Sequence, residues 1–169
     1  IYIRFFGDIM LLAHTGQPFT ARDIEGLCSV SHGTKKNLIE KTGYKGIGFK
    51  SVFGQSNKVI VYSQNNYFRF DETHNFAWRK EWEQSQNEWE IANDRKFLYP
   101  WQMIPILTDK KDIPQEISSF LSSGNWNVAT LVYLTNINDV ENAVRELIEN
   151  VNMFLFLKNI KSIEFKTDT

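Results

Sequence analysis

The segment Gly43-Tyr44-Lys45-Gly46-Ile47-Gly48-Phe49-Lys50-Ser51 holds three glycines within six residues, carries lysines on both sides and runs into the apolar pair Val52-Phe53. Glycine admits positive φ and lets a ligand come close to the main chain. Successive free N–H groups in such a turn form an anion nest, and a helix opening at Phe49 would add its positive end. The chemistry that suits this pattern is the cradling of a phosphate chain. The spacing G-x-x-G-x-G is neither a P-loop, which needs Gly-Lys-Ser/Thr after a longer gap, nor the dinucleotide fingerprint G-x-G-x-x-G. Taken alone, the same pattern also fits a purely structural turn.

Its upstream neighbour is His14-Thr15-Gly16-Gln17-Pro18-Phe19, which follows the apolar, strand-like run Ile9 to Leu12. Gly16 and Pro18 end that strand. A neutral His14 has one unprotonated ring nitrogen that can accept a hydrogen bond from an amino group. It could equally do no more than terminate the strand. Thr20, with Asp23 three residues on, reads as a capping box in which Asp stands where Glu or Gln is usual. Ile24, Leu27 and Cys28 then share one face of a short helix. Ser31-His32-Gly33-Thr34-Lys35-Lys36 opens a stretch crowded with lysines (35, 36, 41, 45 and 50) that only Glu40 opposes. Such a loop can close over a triphosphate and neutralise it, or simply be a solvated basic segment.

In this order the motifs resemble the ATPase superfamily of gyrase, the heat-shock-90 chaperones, histidine kinases and MutL, known as the Bergerat fold. Gly48-Phe49-Lys50-Ser51-Val52-Phe53 is closest to the heat-shock-90 side, and most similar to its sacsin-like and NO VEIN-like subgroup. The first glycine box of the superfamily is Asp-x-Gly-x-Gly. Here His14 stands at the Asp and Pro18 at the second Gly. Ser31 to Lys36 resembles the opening of the lid, about residues 31–45. Thr130 resembles the threonine of a third box, with Ala129 in place of its glycine. The resemblance implies that the adenine of ATP lies near His14, Gly16 and Thr130. It implies that the phosphates meet Thr34, Lys35 and the segment Gly43, Tyr44, Lys45, Gly46, Ile47, Gly48, Phe49, Lys50 and Ser51. In the superfamily a preceding helix carries a Glu that activates water and an Asn that holds Mg²⁺. That helix is expected upstream of Ile1, so no catalytic base is assigned here, and Asp8 sits too close to the first box to replace the Glu. The chain reads as a fragment of a larger protein.

The rest of the chain supplies a scaffold. Ile1, Ile3 and Phe5 alternate with Tyr2 and Arg4. Lys58–Ser63 and Tyr67–Asp71 alternate at period two around Gln64-Asn65-Asn66, a hairpin signal. Asn127–Leu134 reads as another strand. Asp139 to Leu157 carries an apolar stripe (140, 143, 144, 147, 148, 151, 154, 155) with Asp139 placed to cap it or favour its dipole. Pro114 to Leu121 reads as a short helix with its proline in the first turn. The expectation is an α/β (α+β) two-layer sandwich: a mixed, mostly antiparallel sheet with helices on one face. The least readable stretch is a tryptophan-rich insertion, about 74–104, holding Trp78, Trp82, Trp89 and Trp101. Trp78 and Trp82 could share a helix face, and Tyr99-Pro100-Trp101 reads as extended. Its rings either cover a sheet and fill a core or form a partner surface.

Composition narrows the function classes. At 169 residues, 42% hydrophobic and net charge -1, the chain is long enough for one substantial core and has no basic stripe for general nucleic-acid binding. No apolar run reaches membrane-spanning length. A single cysteine, Cys28, cannot form an internal disulfide, which fits a reducing, cytoplasmic setting. Two functions follow from the resemblance. One is an ATP-binding module, with ATP or ADP and Mg²⁺ as ligands, coupling lid closure to the rest of a larger chaperone-like or defence polypeptide. The other is a non-hydrolysing module of the same fold that binds protein, whether a client or a second copy. A kinase domain is disfavoured by Phe49-Lys50-Ser51.

Overall fold

Strict alternation of side chains, the property that marks the strands in sequence, builds a sheet with two working faces. The computed structural model describes residues 1–29, 47–150, 152 and 160–166. Within them lie strands β1 (Tyr2–Phe6), β2 (Ile9–His14), β3 (Ser56–Ser63), β4 (Asn66–Asp71), β5 (Ile106–Thr108), β6 (Val128–Leu134) and β7 (Glu164–Lys166). The helices are α1 (Ala21–Cys28), α2 (Ile47–Lys50), α3 (Gln86–Asn93), α4 (Gln115–Ser123) and α5 (Ile137–Glu149). The strand order is β5-β4-β3-β6-β2-β1-β7, antiparallel throughout except for the parallel β1–β7 pair. This is the expected mixed, mostly antiparallel sheet with helices.

The hairpin from β3 to β4 has a two-residue turn. Gln64 and Asn65 both take positive φ (47° and 66°), the primed-turn geometry that matches strand twist, and Asn66 joins β4. On one face of the sheet, Phe5, Val59, Val61, Phe68, Phe70, Val132 and Leu134 meet residues of α1, α2 and α5, including Ile24, Leu27, Cys28, Phe49, Ile137, Val140 and Val144. This is the expected helical layer. The opposite face is covered as well. Ile9, Leu11, Ala13, Ile60, Ala129 and Leu131 pack beneath Ile113 and, from α4, Ile117 and Leu121.

Several local details differ from the sequence reading. The helix expected from Asp139 begins at Ile137 and is described to Glu149, so the expected continuation to Leu157 lies outside the described residues apart from Asn150 and Asn152. Its cap is Asn136, whose side-chain oxygen accepts from the Asp139 N–H, which puts Asp139 in the first turn. Pro114 is the N-cap of α4 rather than a residue of its first turn. Trp101 opens a 3₁₀ turn, because the Met103 N–H reaches the Pro100 carbonyl.

The tryptophan-rich insertion neither covers the sheet as a whole nor spreads out as a surface. It packs largely on itself. Trp78 and Trp82 do not share a regular helix, but their rings meet edge-on at 4.6 Å, and Phe97 contacts Trp78, Trp89 and Tyr99. The Glu90 carboxylate ties the segment together by accepting from Gln86, Lys96 and the Phe97 N–H. Trp101 and Phe76 join this cluster to the sheet. No helix among the described residues is long and apolar enough to cross a membrane.

Candidate functional site

Register places the sequence-predicted residues in rows. His14 pairs with Val128, which pairs with Ser63. Leu12 pairs with Thr130, which pairs with Val61. Met10, Val132, Val59 and Phe70 form the next row. Because side chains alternate, His14 and Thr130 share the face on which α1, α2 and α5 pack. Both are half-buried.

The loop after β2 is tied down at several points. The Gly16 N–H donates to His14 Nδ1 at 3.1 Å. Asn127, just before β6, donates through Nδ2 to the carbonyls of Thr15 and Gly16, both at 3.0 Å, and its own N–H donates to the His14 carbonyl at 3.1 Å. Further on, the buried Ser63 hydroxyl oxygen accepts from the Phe19 N–H at 2.9 Å. Then Thr20 and Asp23 close a reciprocal capping box at the start of α1, so Asp serves in the place of Glu.

This network sets the chemistry of His14. Burial lowers the affinity of its imidazole for a proton. In the neutral ring Nδ1 is the acceptor taken by Gly16, so Nε2 carries the hydrogen. The nitrogen not taken by Gly16 is then Nε2, a donor in this tautomer. A Cβ added at Gly16 would lie 2.9 Å from Nδ1, so only glycine leaves room for the ring in this position.

The described part of the glycine-rich segment is Ile47 onward. The helix described there covers Ile47–Lys50 and is followed by a 3₁₀ turn over Ser51–Gly54. What fixes it is aromatic packing. Phe49 and Phe53 meet edge-on at 5.7 Å, both lie against Phe70 of β4, and Phe53 also contacts Trp101 at 5.1 Å. The Phe49 ring thus belongs to the core, leaving its main chain for a ligand. Gly48 is exposed, and an added Cβ would meet nothing within 4 Å among the described residues. The Ser51 hydroxyl donates to the Gly48 carbonyl at 2.7 Å. Lys50, at the end of α2, lies near enough to Cys28 to pull its thiol pKa down, although burial wins and the net shift is upward. The Gln55 carbonyl accepts from the Thr135 N–H and hydroxyl, pinning the end of this segment to the end of β6.

The Phe70 row stands one row beyond that of Thr130 and two strands across the sheet, about 7 Å along and about 10 Å sideways by strand geometry. Thr34, Lys35, Gly43, Tyr44, Lys45 and Gly46, with the rest of the expected lid, lie outside the described residues. So does the side chain of Ile47. Among the described residues no group of three or more His, Cys, Asp or Glu is placed to hold a metal ion. Sequence reasoning missed Asn127 and Ser63. Asn127 stands in a turn context, Asn125-Trp126-Asn127, which signals a loop but not its partner.

Comparison with known proteins places this geometry in a family. The model of the sacsin domain matches residues 4–168. Protein NO VEIN of Arabidopsis thaliana is 43% identical over 53 residues, which is 31% of this chain and 2% of that protein. The chain therefore spans a small fraction of the length of this curated relative.

Proposed function

The chain belongs to the sacsin-domain family, and from that premise we propose that it is a nucleoside-triphosphate-binding module, with ATP and Mg²⁺ as the ligands expected of the fold, working in a larger cytoplasmic polypeptide. The observation that carries this reading is the shared sheet face. The Phe49–Phe53 anchor brings the glycine-rich segment to the same side as Thr130, one row and two strands away, and as His14, two rows and three strands away. A base near His14 and Thr130 would leave its phosphates running toward Gly48, where the main chain is open to approach. Thr34, Lys35 and the residues Gly43 to Gly46 complete the phosphate side in this reading, and lid closure passes the signal on. Among the described residues no side chain is assigned as the base for hydrolysis, so binding is the proposed activity and turnover is left to groups elsewhere.

Thermal denaturation tests it. Millimolar Mg·ATP raises the midpoint if the native state holds the nucleotide, because a ligand bound only by the folded form stabilises it by mass action. An unchanged midpoint across a range of nucleotide concentrations contradicts the reading.

A second reading, a protein-interaction module, draws on a different observation. Around the insertion and the edge strand β5, Ile91, Leu98 and Leu107 are 72%, 84% and 87% exposed. If this face carries the function, Leu98→Ser with Leu107→Ser changes association with the rest of the polypeptide and leaves any nucleotide effect alone.

A further inference from the structure

We propose that the cavity between the end of β4 and the aromatic insertion is a binding site for a small, flat organic cation of the amidinium or guanidinium class. The proposal does not rest on the nucleotide-site reading. The cavity measures about 510 Å³, and its lining includes Glu72, His74, Phe76, Phe97, Tyr99 and Trp101. That volume falls in the range of small-molecule sites, which combine apolar walls with a few placed polar groups. The walls are held by one another. Phe76 stacks on Tyr99 at 5.2 Å, while His74 meets Phe76 and Phe97 meets Tyr99 edge-on, each at 4.8 Å. The Glu90 carboxylate fixes the Phe97 main chain, and Trp101 is buried against Phe53. A cavity with walls fixed in this way needs little ordering when a ligand enters.

The charge in the lining is negative. The Glu72 N–H donates to the Asn57 carbonyl at 2.9 Å, which fixes the main chain at this point. Beside it, the buried Asp71 carboxylate accepts from Arg69 Nε at 3.1 Å and from the Thr73 hydroxyl at 2.7 Å. Arg69 thus balances Asp71, whereas Glu72 makes no ion pair among the described residues. Among those residues no Lys or Arg lines the cavity either. A carboxylate set among aromatic rings suits a cation, which the rings attract through their π systems. A planar amidinium or guanidinium fits best, because it stacks on rings and can give a carboxylate two parallel N–H bonds.

Benzamidine, benzamide and benzoate share one flat body and are cationic, neutral and anionic, so they are the probes. Calorimetric titration of the whole chain at pH 8, where an ordinary imidazole is uncharged, separates them by charge alone. Benzamidine is expected to bind about tenfold more tightly than benzamide, a modest ratio because Glu72 is exposed, and benzoate more weakly than either. In ¹⁵N spectra, benzamidine is expected to move the Trp101 indole N–H and the main-chain signals of Glu72 and Tyr99. Glu72→Gln changes an exposed side chain at nearly constant size, and it is expected to bring benzamidine down to the affinity of benzamide. No saturable binding of benzamidine, equal affinities for benzamidine and benzamide, spectral changes away from this cavity, or an undiminished preference in Glu72→Gln each overturn the proposal. None of these outcomes touches the nucleotide reading, which Mg·ATP tests by itself.

Discussion

The Gly16 main-chain N–H and the His14 imidazole form a closed unit, with the N–H donating to Nδ1 at 3.1 Å and no room for a methyl group between them. Gly16→Ala must therefore push the ring aside or open the loop. The expected cost is about 1 kcal/mol of stability, the loss of one hydrogen bond with partial relaxation. Urea denaturation measures the cost, and the His14 ring resonances are expected to move even where the fold is retained.

The same ring gives the chain a pH response with a definite sign. Burial places the His14 pKa in the folded state below its usual 6.5, so the unfolded chain binds the proton more readily. The contribution of neutral His14 is fully present above 6.5. It is lost as pH falls from there toward the lower folded value. Denaturation at pH 7.5 and pH 5.5 is expected to show a smaller loss of stability in His14→Asn than in the wild-type chain. An equal loss in both would place the response elsewhere.

Phe53 joins the glycine-rich segment to β4 and to Trp101. Phe53→Ala is expected to cost about 3 kcal/mol, the low end for removing a phenyl ring because this one is only partly buried. It should also weaken nucleotide binding more than the stability loss alone explains, since α2 loses its anchor. Melting curves and titration on the same preparation separate the two effects.

In the insertion, three hydrogen bonds hold the Glu90 carboxylate down at about 2, that from Lys96 contributing most. Its stabilising effect is present above the usual 4.5 and is lost as pH falls toward 2. Glu90→Gln is expected to loosen the aromatic cluster at neutral pH, seen as a red shift of tryptophan emission, while the sheet keeps its circular dichroism.

Much of this was legible in the chain because local rules and tertiary structure agree. The β3–β4 hairpin, the Thr20–Asp23 cap and the strand at Val128–Leu134 each carry their own signal in periodicity or capping chemistry. The covering of the second sheet face was not legible, because the Ile117 and Leu121 stripe of α4 says that a helix packs and not on which side. The His14 hydrogen-bond polarity was hidden for another reason. Which ring nitrogen is free depends on a main-chain N–H two residues away, and on an Asn127 brought there only by the pairing of β2 with β6. The insertion defeated periodicity because its order comes from ring–ring contacts and one carboxylate rather than from a repeating face.

The central claim is that the exposed main chain at Gly48 receives a triphosphate. Gly48→Val puts a side chain where an added Cβ meets nothing within 4 Å among the described residues, so the fold should tolerate it. Calorimetric titration of wild-type and Gly48→Val chains with Mg·ATP, each checked by circular dichroism, tests the claim most directly. The account predicts saturable binding of Mg·ATP to the wild type and none to the folded variant. Equal binding to both chains, or none to either, would contradict it.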